Sequence, residues 1–189
     1  MEDTQLQYFR LFRDVSKAVN SSLSVREVLK LITENTVAAL NVKACTLFLL
    51  DKDRKVLEAR ASHGLSESYM RKGPVEADKS ISGSLKGKTV LIYNVANDPR
   101  VQYPEEAKKE GIASILSIPM SVKGEIIGVL RIYTAEPRKF SYDEIEFIYG
   151  VADMGGIAID NARMYHHLKS DHERLIQDVH QFFDFGSTP

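Results

Sequence analysis

Tyr93, Asn94, Asp98, Arg100 and Tyr103 fall within one short stretch that also carries turn chemistry. Beside a sheet face, such a cluster can supply the few oriented polar groups with which a pocket fixes a small molecule. The alternative is a solvated turn built on Asp98-Pro99. Ser80-Ile81-Ser82-Gly83-Ser84 lies where a short helix is expected to begin. Free backbone N–H groups and the helix dipole at such a start can hold an anion or carboxylate. Equally, Ser80 can be a plain cap and Gly83 a close-packing residue. Ser114, Ser117, Arg131 and Tyr133 lie on two adjacent predicted strands. Alternation puts Ser114 and Leu116 on one face, with Ile115 and Ser117 on the other. A serine on a core-facing strand marks a ligand side, or it is a packed hydroxyl bonded to backbone.

Residues for catalysis or metal binding are sparse. Cys45 is the only cysteine, so no intramolecular disulfide can form, which fits a reducing compartment. His63 has no Cys or His neighbour with ligand spacing. The other histidines, His166, His167, His172 and His180, fall on one predicted helix without the His-Glu-x-x-His pattern of a zinc protease. No Ser-His-acid arrangement or phosphate-binding glycine loop stands out. The expectation is no catalytic residues, no metal and no enzyme activity; the identity of any cofactor is left open.

The net charge of −1 sets up no field toward nucleic acid or membrane. Residues 141–189 hold nine acidic and three basic side chains, which argues against nucleic-acid binding there. A hydrophobic content of 43% is enough for a packed core. The N-terminus is polar and acidic without a signal-peptide apolar region, and no apolar run approaches the roughly 18 residues of a membrane span. A soluble, cytoplasmic protein is expected.

The elements that must position these residues follow from periodicity. Leu6, Phe9, Phe12, Val15 and Val19 predict an amphipathic helix over 4–20. Ser24 with Glu27 makes a capping box that opens a second helix to Leu40. Residues 44–50 and 56–61 read as a strand pair. Residues 62–80 read as a loop with a short helix over 66–71. A short helix over 80–86, a strand over 89–94 and a helix from Pro104 to Glu110 follow. Residues 112–133 are two strands around a Lys123-Gly124 turn. Ser141 and Glu144 cap a last helix of about 40 residues, beyond ordinary globular length.

Several segments together resemble the GAF domain, a sensory module of signalling proteins. They are Ser80-Ile-Ser-Gly83 with Gly87-Lys88 and Val90; Asn94 to Arg100; Gly111-Ile-Ala-Ser114 with Ile118-Pro-Met120, Gly124 and Ile127-Gly-Val-Leu130; Phe140-Ser141 with Asp143-Glu144; and Ala158 to Ala162 with Tyr165. The resemblance implies an α+β fold with a six-stranded antiparallel sheet. Terminal helices would cover one face, with a small-molecule pocket under short helices and loops on the other. Ligands in the family include cyclic nucleotides, bilins, haem and small metabolites, and some members hold none. The chain lacks the Asn-Lys dipeptide of the cyclic-nucleotide binders, and Cys45 falls in a predicted buried strand, a poor place for a bilin link. The sulfoxide reductases of the family use more than one cysteine.

The last helix carries a feature independent of that resemblance. Phe147, Val151, Met154, Ala158, Asn161, Tyr165, Leu168, His172, Leu175, Val179 and Phe182 follow alternating spacings of four and three, a heptad seam. Ile145, Ile148, Ala152, Gly155, Ile159 and Ala162 form a second stripe that ends earlier. The expectation is that the short stripe packs on the sheet and the long seam meets a second copy, with Asn161 and His172 setting register. The alternative is one wide core face up to residue 165. The expected organisation is an N-terminal helix (1–20), the GAF domain (21–165), a helical coiled-coil extension (166–185) and a tail (186–189). The function expected is a homodimeric domain that senses a small molecule and signals to a partner protein, with no nucleic acid and no membrane. The alternatives are a ligand-free dimerisation module, with bulky apolar side chains near Tyr93 and Tyr133, or a redox enzyme of the sulfoxide-reductase type.

Overall fold

The computed structural model describes residues 2–20, 24–51, 53, 56–76 and 82–185, with side chains described over these spans except at 2–4, 166 and 177–185. The element order is α1 (Glu2–Val19), α2 (Val25–Leu40), β1 (Ala44–Asp51), β2 (Val56–His63), α3 (Glu67–Met70), β3 (Val75–Glu76), β4 (Val90–Ile92), α4 (Pro104–Lys109), β5 (Ser114–Val122), β6 (Glu125–Thr134) and α5 (Tyr142–Phe185). One antiparallel sheet runs in the order β3-β2-β1-β6-β5-β4, an α+β arrangement.

Local chemistry explains the boundaries. Both capping boxes form. The Glu27 N–H donates to Ser24 Oγ at 3.3 Å and the Ser24 N–H donates to Glu27 Oε2 at 2.8 Å. Ser141 and Glu144 repeat the exchange at 2.7 and 3.2 Å at the start of α5. Lys123 and Gly124 both take positive φ (52° and 82°), the two-residue turn that fits the strand twist of a hairpin.

Two expectations need correction. Among the described residues the short helix expected over 80–86 is a single 3₁₀ turn, Ser84–Lys86, ended by Gly87 at a φ of 79°; Ser80 and Ile81 lie outside the described residues. The loop expected over 62–80 contains β3, two residues too short to show alternation.

Strand alternation sends Cys45, Leu47, Leu116, Ile118, Met120, Leu130 and Ile132 toward the helices, where they form the main core with α1, α2 and α5. Helix α5 crosses β5, α2 covers β1 and β2, and α1 packs on α2 and α5. Gly156 allows the closest approach of helix to sheet: a Cβ there would lie 2.9 Å from the Ser121 carbonyl oxygen.

The seam on α5 divides differently from expectation. Phe147, Val151 and Ala158 are buried within the same chain. Phe147 stacks on Tyr8 (centroids 3.9 Å) and meets Phe12 edge-on (5.4 Å). The reason is that α1 and the sheet both flank this half of α5, so the two stripes merge into one broad core face. Beyond it Asn161, Tyr165, Leu168, His172 and Leu175 are exposed, Tyr165 and Leu168 by 67% and 71%. The side chains of Val179 and Phe182 lie outside those described. No helix among the described residues is long and apolar enough to cross a membrane.

Candidate functional site

The face of the sheet turned away from the terminal helices is laid out in rows. Register pairs Ala44 with Tyr133, Tyr133 with Ile115 and Ile115 with Ile92. This apolar row joins Tyr69, Val95, Ala107 and Ile112 in one buried cluster. Two positions along, register pairs Ser62 with Thr46, Thr46 with Arg131, Arg131 with Ser117 and Ser117 with Val90. Two positions further, Phe48 pairs with Val129 and Val129 with Pro119. Phe48 and Val129 pack with Leu57 and Val75 in a separate cluster. A polar row therefore runs across the sheet between two apolar clusters.

The polar row is buried. Thr46, Ser117 and Arg131 are 0%, 1% and 4% exposed. Thr46 Oγ1 shares a hydrogen bond with Ser62 Oγ at 2.8 Å. Ser117 Oγ has no hydrogen-bond partner among the described residues. The Arg131 guanidinium lies 5.6 Å from the centroid of the Tyr133 ring. Burying a guanidinium costs free energy unless dipoles or charges surround it, and Arg131 is not without a partner.

A cleft opens over this row. Tyr69, Lys72, Val75, Val101, Gln102, Tyr103, Ile115 and Arg131 line it, with an empty volume of ≈ 270 Å³ counted to its open mouth. Its enclosed part holds about one water. Lys72 Nζ sits 3.8 Å from the centroid of the Tyr69 ring and donates to the Tyr69 carbonyl oxygen at 3.1 Å. Burial, and secondarily the Arg131 charge, push the Lys72 ammonium down to about 8. Burial raises the Tyr69 and Tyr133 phenols; the neighbouring Tyr133 adds to the effect at Tyr69, while Arg131 opposes it at both.

The rim is latched. Tyr103 Oη donates to the Pro74 carbonyl oxygen at 2.9 Å, and Gln102 Nε2 donates to the same oxygen at 3.2 Å. The Glu76 N–H donates to Gln102 Oε1 at 3.0 Å. These bonds tie the start of α4 to β3 across the cleft mouth.

The remaining candidate residues fall elsewhere. Tyr93 and Asn94 are exposed, and the Asn94 side chain accepts the Ala96 N–H. Arg100 Nε donates to Asp98 Oδ1 at 2.8 Å and its Nη2 to the Leu91 carbonyl oxygen at 3.2 Å. Arg100 in turn holds the Asp98 carboxyl below its ordinary value. Ser114 Oγ donates to the Tyr93 carbonyl oxygen at 2.7 Å and accepts the Arg138 N–H at 2.9 Å, on the helix side of the sheet. Ser82 is half-buried beside the 3₁₀ turn. Of the ten ligand candidates, Tyr103 lines the cleft, and Ser117 and Tyr133 flank Arg131 on the same face. Tyr69, Lys72 and Gln102 are not among the sequence candidates; a Tyr on a short helix, with a Lys three residues on and just past the helix end, is the available signal. Cys45 is fully buried on the opposite face, and burial raises its thiol well above the ordinary range. No cluster of metal-ligating residues occurs among the described residues.

Comparison with known proteins follows this geometry. A family model described as GAF domain matches residues 22–160. The chain is similar to a methyl sulfide methyltransferase-associated sensor of Methanosarcina acetivorans, 30% identical over 168 residues, covering 85% of this chain and 17% of that protein. It is similar to a formate hydrogenlyase transcriptional activator of Salmonella typhimurium, 24% identical over 179 residues, covering 90% and 26%. The chain thus spans less than a third of the length of these curated relatives. Its fold is like that of the GAF domain of a phosphoenolpyruvate-protein phosphotransferase from Coxiella burnetii (TM-score 0.75, 22% identity, 86% of this chain and 98% of that one). It is also like the phycocyanobilin-bound GAF domain of a cyanobacterial phytochrome (TM-score 0.70, 19% identity, 85% and 97%).

Proposed function

The chain belongs to the GAF domain family, and from that premise we propose that it is a sensory domain: a small molecule binds the Arg131 cleft, and occupancy is read by helix α5, through which two copies associate. Its curated relatives include a sensor and a transcriptional activator. One observation carries the reading. The two strands that contribute Arg131 and Ile115 to the cleft also seat α5 on their other face, through Leu116, Met120, Leu130 and Ile132. A ligand that prefers one spacing of β5 and β6 therefore also prefers one seating of the helix. The exposed row Tyr165, Leu168 and Leu175, followed in sequence by Val179 and Phe182, supplies the apolar face for a second copy. Output would pass to a partner protein or a further domain.

A second reading has its own support. Tyr133 is packed among Tyr69, Ile92, Val95, Ala107 and Ile112, and the enclosed cleft is small. That is the filled face of a dimerisation module that needs no ligand. Native mass spectrometry of protein purified from its own host separates the two. A dimer carrying an extra small mass, released on denaturation, supports the sensor. A dimer without added mass supports the filled module, and a monomer contradicts association through α5.

A further inference from the structure

We infer that Arg138 is the positioning residue of α5: one side chain in the β6–α5 loop sets where that helix starts relative to α2 and to the β4–β5 edge of the sheet. Its part in output rests on the sensor reading above. Arg138 Nη1 donates to the Leu40 carbonyl oxygen at 2.9 Å and to the Asn41 carbonyl oxygen at 3.4 Å, at the end of α2. Its Nη2 donates to Glu144 Oε1, in the first turn of α5. Glu144 Oε2 accepts the Ser141 N–H at 2.7 Å, so the carboxylate that opens α5 also holds the guanidinium. The Arg138 N–H donates to Ser114 Oγ at 2.9 Å, and Ser114 Oγ donates to the Tyr93 carbonyl oxygen at 2.7 Å, just past β4. Helix α1 meets the same pair: burial raises the Tyr8 phenol, with Glu144 adding to the effect and Arg138 opposing it.

The residue type suits the task. The last carbonyls of a helix have no intrahelical partner and form the negative end of its dipole. A carboxylate in a first turn lies at the positive end of the next helix. A guanidinium can serve both from separate nitrogens in one plane, whereas an ammonium concentrates its charge at one point. The pair is mostly covered, with 30% of the Arg138 side chain and 17% of the Glu144 side chain exposed. The end of α2, the exit of β4 and the first turn of α5 are therefore held to one another. That makes the first turn of α5 a fixed point, and a change in the seating of α5 on β5 and β6 shows as a swing of its far end.

Amide hydrogen exchange of the full chain, as wild type and as Glu144→Gln, Arg138→Gln and Arg138→Lys, tests this. Glutamine at 144 keeps the capping box and removes the charge from the pair. The change lies in α5, yet exchange is expected to quicken roughly tenfold at Asn41 and Val42, whose N–H groups close the end of α2. Arg138→Gln is expected to do the same, and Arg138→Lys not to restore protection. Should Arg138→Gln fail to fold, Glu144→Gln carries the test. Faster exchange confined to the first turn of α5, or wild-type protection at Asn41 and Val42 in Arg138→Lys, would overturn the proposal. The readout needs no ligand. Absence of a host-derived mass in native mass spectrometry therefore counts against the sensor reading alone, and unchanged exchange at the end of α2 counts against Arg138 alone.

Discussion

Lys123 Nζ lies 2.9 Å from Asp160 Oδ2, so the tip of the β5–β6 hairpin is tied to α5 one turn beyond Gly156. The pair joins the strands that carry the cleft to the helix that carries the exposed seam. Lys123 is mostly exposed, which limits the ion pair to under about 1 kcal/mol. Asp160→Asn is therefore expected to shift the urea midpoint little while weakening any ligand-induced change in α5. A large loss of stability would show that the pair holds the fold rather than its coupling.

Gly156 makes the opposite prediction. Alanine in a helix interior gains about 1 kcal/mol over glycine, but here its Cβ would meet the Ser121 carbonyl at 2.9 Å and Val122 Cγ2 at 3.1 Å. Backbone cannot give as a flexible side chain can, and overpacking costs about 1–3 kcal/mol. Gly156→Ala is expected to be net destabilising by about 1 kcal/mol in denaturant unfolding. A net gain would mean that α5 stands off the hairpin.

Much of this architecture was legible from periodicity. Ser24 with Glu27 and Ser141 with Glu144 announce their helices because a cap is local chemistry. The hairpin around Lys123-Gly124 is equally local. The cleft was less legible because it depends on register. Thr46, Ser117 and Arg131 come from three strands, and irregularities at Leu47/Phe48 and Met120/Ser121 shift the pairing in ways that no single strand reveals. Lys72 and Gln102 come from loops whose meeting is set by the latch on Pro74. The α5 seam misled in its first half because heptad spacing does not say whether the same chain or another copy covers it.

The second half of that seam can be tested alone. Leu168 and Leu175 are 71% and 64% exposed, so Leu168→Asp/Leu175→Asp removes apolar surface that the single chain does not bury. Light scattering is expected to show a monomer of unchanged core fold. A dimer that survives both changes would place association elsewhere.

Lys72 sets a pH dependence. Its folded value of about 8 lies below the ordinary 10.5, with burial and Arg131 lowering it and Glu110 and Glu106 raising it. Between those values the unfolded chain binds more protons, so the penalty on charged Lys72 is present below pH 8 and is relieved as pH rises toward 10.5. Stability in denaturant unfolding is therefore expected to rise between pH 8 and 10.5. Urea midpoints measured across that window read the change; the same rise in Lys72→Met would place the linkage on another group.

Cys45 is expected to resist thiol reagents in the folded protein and to react fully once the chain is unfolded, since burial suppresses its thiolate. Rapid reaction of native protein would reopen redox chemistry for this chain.

The central claim is that occupancy of the Arg131 cleft is read at α5. Ser170 is exposed on the helix extension, and a nitroxide on Ser170→Cys leaves buried Cys45 unlabelled. Pulsed dipolar spectroscopy between the two copies, on host-purified protein with its small molecule and after its removal, measures the helix separation directly. The account predicts a shifted distance distribution between the two states; identical distributions, with the molecule demonstrably bound in one and absent in the other, would contradict it.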